Sequence, residues 1–207
     1  PVGQHRQNGP EDHKKMTTLR LCMIAMAVCI NVAGGQLALM LRLPIYLDSI
    51  GTILIGAWMG PFYGMLPNML SGVLMGFTTD IYSLYFAPVG MITGFMAGIA
   101  AKQMHGLVFE KQVKKLQIII GALFITIPGT MVSSVINAVL FGGVTSSGSS
   151  ILVQILSRTP LGLTGSIFAV QIFTDYLDRV ISLALVVMVL QMLPFSMKTA
   201  FQKAERK

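Results

Sequence analysis

The chemically capable residues of this chain are amides, phenols and a few arginines set among long apolar runs. They are Asn31, Gln36, Asn68 and Asn137; Tyr46, Tyr82 and Tyr85; and Arg42, Arg158 and Arg179. Groups of this kind hold a ligand by hydrogen bonds, stacking and charge; they do not make a catalytic set. His5, His13 and His105 all lie in charged segments outside the apolar runs, which leaves no general base for an embedded serine nucleophile. The chain has no HExxH pair and no GxxxxGK[ST] loop, so it lacks the residues for zinc proteolysis or for powering itself with ATP. We therefore expect no enzyme, no metal and no cofactor. Cys22 and Cys29 share the first apolar run and read as small apolar residues, not as a disulfide framework.

The elements that must position these groups follow from composition. Of 207 residues, 54% are hydrophobic and 11% charged, where a soluble domain carries roughly a quarter charged. That excess demands several bilayer-facing segments. Apolar runs at 19–41, 50–58, 62–76, 87–101, 116–141 and 176–193 predict six helices, with Pro128 bending the fifth. The three middle runs are shorter than the ~20 residues that span a bilayer and should be shielded by neighbours. A polar, disordered tail is expected over 1–18, a six-helix domain over 19–195 and a basic tail over 196–207. The first run continues to spanning length and reads as a retained helix, not a cleaved signal.

The net charge of +7 resolves into clusters. Arg6, Lys14, Lys15 and Arg20 precede the first helix, Lys102, Lys111, Lys114 and Lys115 lie between the fourth and fifth, and Lys198, Lys203, Arg206 and Lys207 follow the sixth. With six crossings all three clusters fall on one side, and only Arg42, Arg158 and Arg179 remain for the other. The bias predicts a multi-pass cell-membrane protein with both termini cytoplasmic, and it reads the basic charge as a topology signal in place of a nucleic-acid footprint.

Three connections then face outward: 42–49, 77–86 and 142–175. The last opens on Gly/Ser-rich sequence and turns apolar, so it should fold back over the bundle with a short helix. Asn31, Gln36, Asn68 and Asn137 either bond between helices or line an outward-facing cavity. Tyr46, Tyr82 and Tyr85 are either interfacial belt residues or a lid of rings over a small ligand. Asp48 and Asp80 belong to the same loops. Asp175 and Arg179, four apart, are expected to pair with each other, leaving Arg42 or Arg158 for a carboxylate ligand. No charge is expected deep within a span, which argues against a proton relay.

Glycines recur every fourth residue at Gly56, Gly60 and Gly64 and at Gly90, Gly94 and Gly98; Ala97 and Ala101 form a further pair. Such ladders let another backbone approach, either within the bundle or from a partner subunit. On the first helix the corresponding stripe is Ala25, Cys29 and Ala33, the best candidate for partner docking.

Residues 31–66, NVAGGQLALMLRLPIYLDSIGTILIGAWMGPFYGML, and residues 83–98, SLYFAPVGMITGFMAG, resemble the substrate-binding S components of energy-coupling factor (ECF) transporters. The resemblance lies in length, helix number, sidedness and an outer loop leading into a Gly-Pro-punctuated hairpin. It implies a vitamin-binding subunit that captures its vitamin from outside and works with a coupling transmembrane subunit and two cytoplasmic ATPases. It also implies docking through an Ala-x-x-x-Ala motif on helix one, where this chain has Ala25, Cys29 and Ala33, so that Cys29 departs from the motif while staying small. Pantothenate is the expected vitamin, held through Arg158 or Arg42, with a pyrimidine or pyridoxine-type vitamin stacked on Tyr82 or Tyr85 as the alternative. A stand-alone small-molecule permease and a ligand-free assembly protein are the competing functions.

Overall fold

A computed structural model of the chain describes residues 10–103 and 115–192, with side chains from residue 18 onward. The described residues form helices and turns, with no strand among them. In order these are α1 (Pro10–Met40), α2 (Ile50–Met59), α3 (Pro61–Thr78), α4 (Ile81–Gln103), α5 (Lys115–Ile136), which runs into a π-helical turn at Asn137–Phe141, α6 (Ser149–Leu156) and α7 (Gly162–Met192). Three helical stretches are long and apolar enough to cross a membrane: Thr18–Met40, Ile81–Gln103 and Lys115–Phe141. The chain is therefore an all-helical, membrane-embedded protein. Residues 1–9, His105, Lys111, Lys114 and the basic tail at 196–207 lie outside the described residues.

Three boundaries differ from the sequence reading. Helix α4 begins at Ile81, not near residue 87, so the expected 77–86 connection shrinks to 79–80 and Tyr82 and Tyr85 lie on a helix. Helix α1 reaches back to Pro10, into the segment expected to be a polar tail; a proline suits a first helical turn, whose N–H groups have no intrahelical partner. Helix α7 begins at Gly162, not near residue 176, so the long outer connection shrinks to a short loop, the two turns of α6 and a second turn. The apolar-run criterion missed its first half because that half is polar on its inner face. Ser166, Gln171, Thr174 and Asp175 are buried, while Ile172, Phe173 and Leu177 face outward. This is amphipathicity turned inside out, as expected where the surroundings are lipid and polar side chains find their partners inside the bundle.

The glycine ladders pack inside the bundle. A Cβ on Gly56 or on Gly64 would lie 2.5 Å from the carbonyl oxygen of Gly94, so α2 and α3 meet α4 backbone to backbone. This close contact lets three short elements share little side-chain volume and still exclude solvent. The main apolar core sits beside it, where Ile53 of α2 packs with Ala97 and Ala100 of α4, Ile125 of α5 and Leu183 and Val186 of α7. Met23, Ile24 and Ala27 of α1 form a second cluster with Ile55. Outside, Leu21, Phe62, Phe77, Ile127, Met131, Phe173 and Met188 are all exposed. So much apolar surface suits hydrocarbon far better than water.

Three connections meet at one end of the bundle. The Gly148 N–H donates to the Leu43 carbonyl at 3.2 Å, the Ser146 hydroxyl donates to Asp80 at 2.8 Å, and Gln36, near the end of α1, donates to Thr79 at 2.6 Å. The loops at 41–49, 79–80 and 142–148 thus form one polar surface over the helix ends.

Candidate functional site

The loop between α1 and α2 builds the site. It leaves α1 through Arg42 at φ 49° and carries a second positive φ, 51°, at Leu47. Side-chained residues rarely adopt this conformation, which needs support from the surroundings. The support comes from α7. The Leu47 N–H donates to Asp178 Oδ1 at 2.9 Å, and Asp178 Oδ2 accepts from Ser49 at 3.4 Å. Asp178 is fully buried and pairs with its neighbour Arg179, whose guanidinium also donates to the Ser49 hydroxyl at 2.8 Å. So anchored, the loop turns Tyr46 and Asp48 toward the interior.

Two cavities adjoin there, and Tyr46 and Asp48 line both. The outer one is walled by Gly35, Leu43, Met75, Asp80, Ser83 and Ser147. The inner one is walled by Asn68 of α3, Phe86 and Val89 of α4, Ser133 of α5 and Gln171, Asp175 and Arg179 of α7. Their free volumes are only about 20 and 30 Å³, room for a water-sized group apiece, so a larger solute requires the lining to open. The 41–49 loop lines both, with Leu43, Ile45, Tyr46 and Asp48 at the outer space and Tyr46 and Asp48 at the inner one.

The polar side chains of the inner cavity are organised as a relay of hydrogen bonds. Asp175 Oδ2 accepts from Thr130 at 2.9 Å and from Ser133 at 3.0 Å, and Oδ1 accepts from Gln171 at 3.4 Å. The Gln171 carbonyl accepts in turn from Asn137 at 3.3 Å. Four buried side-chain atoms among the described residues make no hydrogen bond of good geometry: the Tyr46, Ser134 and Ser182 hydroxyls and the Asn137 side-chain oxygen. Burial, with Asp175 nearby, pushes the Tyr46 phenol up to about 12, so it remains a donor at every physiological pH. Burial, with Asp178 nearby, raises the Asp48 carboxyl to about 6.

The sequence-nominated residues divide among several places. Tyr46 and Asn68 line the inner cavity, and Asn68 also donates to the Asp48 carbonyl at 3.3 Å. Asn137 stands behind it through Gln171. Asn31 is wholly buried but committed to structure: it donates to Thr52 at 2.7 Å and accepts from the Gly51 N–H at 2.8 Å, fixing α1 to the start of α2. Gln36 is bonded to Thr79. Tyr82 and Tyr85 pack edge-on against Phe141, at 4.9 and 5.4 Å between ring centres, and form a wall behind Phe86. Arg42 is exposed, and Arg158 is exposed on an open depression formed by α6. Ala25, Cys29 and Ala33 all face outward on α1, next to the exposed Met26 and Leu37.

Two expectations about charge are corrected. Buried charges do lie within a helix: Asp175, Asp178 and Arg179 are at most 6% exposed. The expected Asp175–Arg179 pair is instead Asp178–Arg179, because Asp175 is supplied by the hydroxyls of α5. Sequence reasoning paired Asp175 with Arg179 and passed over Asp178, the residue that pairs with Arg179 in the fold. The available signal was spacing: Gln171, Thr174, Asp175, Asp178 and Ser182 recur every three or four residues on one face of an otherwise apolar helix.

The chain matches no known protein-family model, no curated protein and no solved structure.

Proposed function

We propose that this chain is a solute-capturing membrane subunit of the S-component type. In this reading it spans the cell membrane six times with both ends in the cytoplasm. It takes a water-soluble vitamin from outside and hands it to a coupling transmembrane subunit driven by two cytoplasmic ATPases. The observation that carries the reading is the pair of small cavities lined by the 41–49 loop, the inner one met by polar side chains from α3, α5 and α7. A merely structural bundle would fill that space with apolar side chains, since buried polar groups without partners are costly. The buried hydroxyl of Tyr46 at the wall, without a well-aligned hydrogen bond, fits a site awaiting a ligand. The outward-facing stripe Ala25, Cys29 and Ala33 supplies a smooth surface for the coupling subunit.

Pantothenate was expected through Arg42 or Arg158. Both are exposed, and neither lines these cavities. A vitamin bound under the loop meets Tyr46, Asp48, Asn68, Gln171, Asp175 and Arg179 in their place.

The test is a thermal-shift screen of the purified full chain against water-soluble vitamins, because a ligand that binds only the native state raises its stability by mass action. Saturable stabilisation by one vitamin is the expected result. The absence of saturable binding by any of them counts against solute capture. Uptake by the chain alone in proteoliposomes, without ATPases, counts against the subunit reading and in favour of a stand-alone permease.

A further inference from the structure

The inner cavity has a charge imbalance. Three ionisable side chains other than Tyr46 line it, Asp48, Asp175 and Arg179, and Asp178 lies directly behind Arg179. Arg179 is already neutralised: it pairs with Asp178 and donates to Ser49. Asp175 receives only neutral donors, from Thr130, Ser133 and Gln171. Asp48 interacts with its own backbone N–H, and its side chain faces both cavities. Arg179, the one cation among the described lining residues, therefore stands against three carboxylates, Asp48, Asp175 and Asp178.

We propose, resting on the solute-capture reading above, that this cavity selects a small solute carrying a positively charged nitrogen, held between Asp48 and Asp175. An anionic solute would have to draw Arg179 away from Asp178 while facing two carboxylates in surroundings of low dielectric, where like charges repel strongly. A neutral solute would leave both carboxylates uncompensated. A cation removes the imbalance. The rest of the wall suits such a guest: the Phe86 ring offers an aromatic surface to a cationic nitrogen. The Tyr46 hydroxyl and the Gln171 amide offer hydrogen bonds to its polar substituents. The Tyr46 hydroxyl, buried without a well-aligned hydrogen bond although Ser147, Ser149 and Gln171 lie beside it, is a second sign of a guest at the wall shared by both cavities.

A proton competes with the cation for Asp48, whose carboxyl titrates at about 6. The groups facing it are Asp175, Asp178 and Arg179 of α7, Asp80 across the outer cavity, and Tyr46 of its own loop. Cation affinity should accordingly fall as pH drops below 6.

The experiment is equilibrium binding to the purified full chain with solutes of three charge classes: thiamine, choline and benzamidine as cations, nicotinamide and pyridoxine as neutral solutes, pantothenate and biotin as anions. The expected result at pH 7.5 is saturable binding of at least one cation and of no anion. Affinity should weaken tenfold or more at pH 5, and tenfold or more in Asp48→Asn and Asp175→Asn. If Asp175→Asn does not fold, Asp48→Asn carries the test, because Asp48 sits on the loop between α1 and α2 and not within a helix. Saturable binding of an anion or neutral solute in preference to every cation overturns the inference and leaves solute capture standing. Cation binding unchanged in Asp48→Asn also overturns it. Failure of every solute to bind overturns both.

Discussion

Asp178 accepts a hydrogen bond from the backbone N–H of Leu47 at 2.9 Å, across 131 residues of chain. One buried carboxylate on the last helix thereby holds the left-handed turn of the first loop, and the same carboxylate is the counter-ion of Arg179. The loop lining the cavity and the charge balance of its wall depend on a single side chain.

Asp178→Ala should therefore be among the most damaging single changes in the protein. It strands a buried guanidinium and frees the loop, and breaking a buried ion pair costs about 3–5 kcal/mol. The double variant Asp178→Ala/Arg179→Met should recover much of that loss, because no unpaired charge remains. Thermal unfolding of the three proteins in one detergent checks the order.

At the crossing of α3 and α4, Gly94→Ala should destabilise by about 1–3 kcal/mol, the usual cost of overpacking, because its Cβ would meet the backbone of Gly64. Gly165→Ala makes the control. Its Cβ would find ordinary contacts 3.5 Å away on Leu161, so it should stabilise by about 0.5–1 kcal/mol through helix propensity. Equal melting shifts of the same sign would refute the packing account.

Asn31 and Asn68 separate structure from binding. Asn31→Ala leaves the Gly51 N–H and the Thr52 hydroxyl without their partner and should lower stability by about 1–3 kcal/mol, with ligand affinity unchanged in the folded fraction. Asn68→Ala should weaken the binding of a stabilising ligand severalfold, since it lines the cavity. Titrations of both variants with that ligand distinguish the roles.

The Asp48 carboxyl offers a pH signature in the ligand-free protein. Its folded value of about 6 lies above the ordinary 3.8, so between those values the folded state holds more proton than the unfolded one. Its contribution to stability is then fully present below about pH 4 and is lost as pH rises through 6. Asp48→Asn should remove a decline of about 3 kcal/mol across that window. Parallel melting curves for both proteins from pH 4 to 7 would exclude it.

For the docking surface, Ala25→Trp or Ala33→Trp places a large ring on an exposed stripe. Folding and vitamin binding should persist, while uptake in cells supplying the coupling subunit and ATPases should fall at least tenfold. Normal uptake by both variants would remove α1 as the docking face.

The helical, membrane-embedded character was legible in the sequence because it depends on composition and run length, which need no partner to be read. The glycine ladders at Gly56–Gly64 and Gly90–Gly98 were equally legible as close-packing surfaces, since a spacing of four residues places them on one helix face. The site was legible only in part. Tyr46 was nominated as a loop tyrosine and Asn68 as an amide in an apolar run, and both line the inner cavity, whereas Tyr82 and Tyr85 pack on Phe141. Arg42 and Arg158, chosen because they seemed unpaired, are exposed for that very reason.

Tertiary structure alone decided which charges face the cavity. Asp175, Asp178 and Arg179 lie within four residues of one another on α7, and sequence spacing favours pairing across one turn. The outcome depended on Thr130 and Ser133 of α5 taking Asp175 and on the Leu47 N–H and Ser49 taking Asp178. Those partners lie 42 to 131 residues away in sequence, far beyond any local pattern. Hydrogen bonds to a carboxylate are satisfied by whatever donor the packed fold brings within 3 Å, so a list of residues announces their presence while only the packed fold assigns their partners.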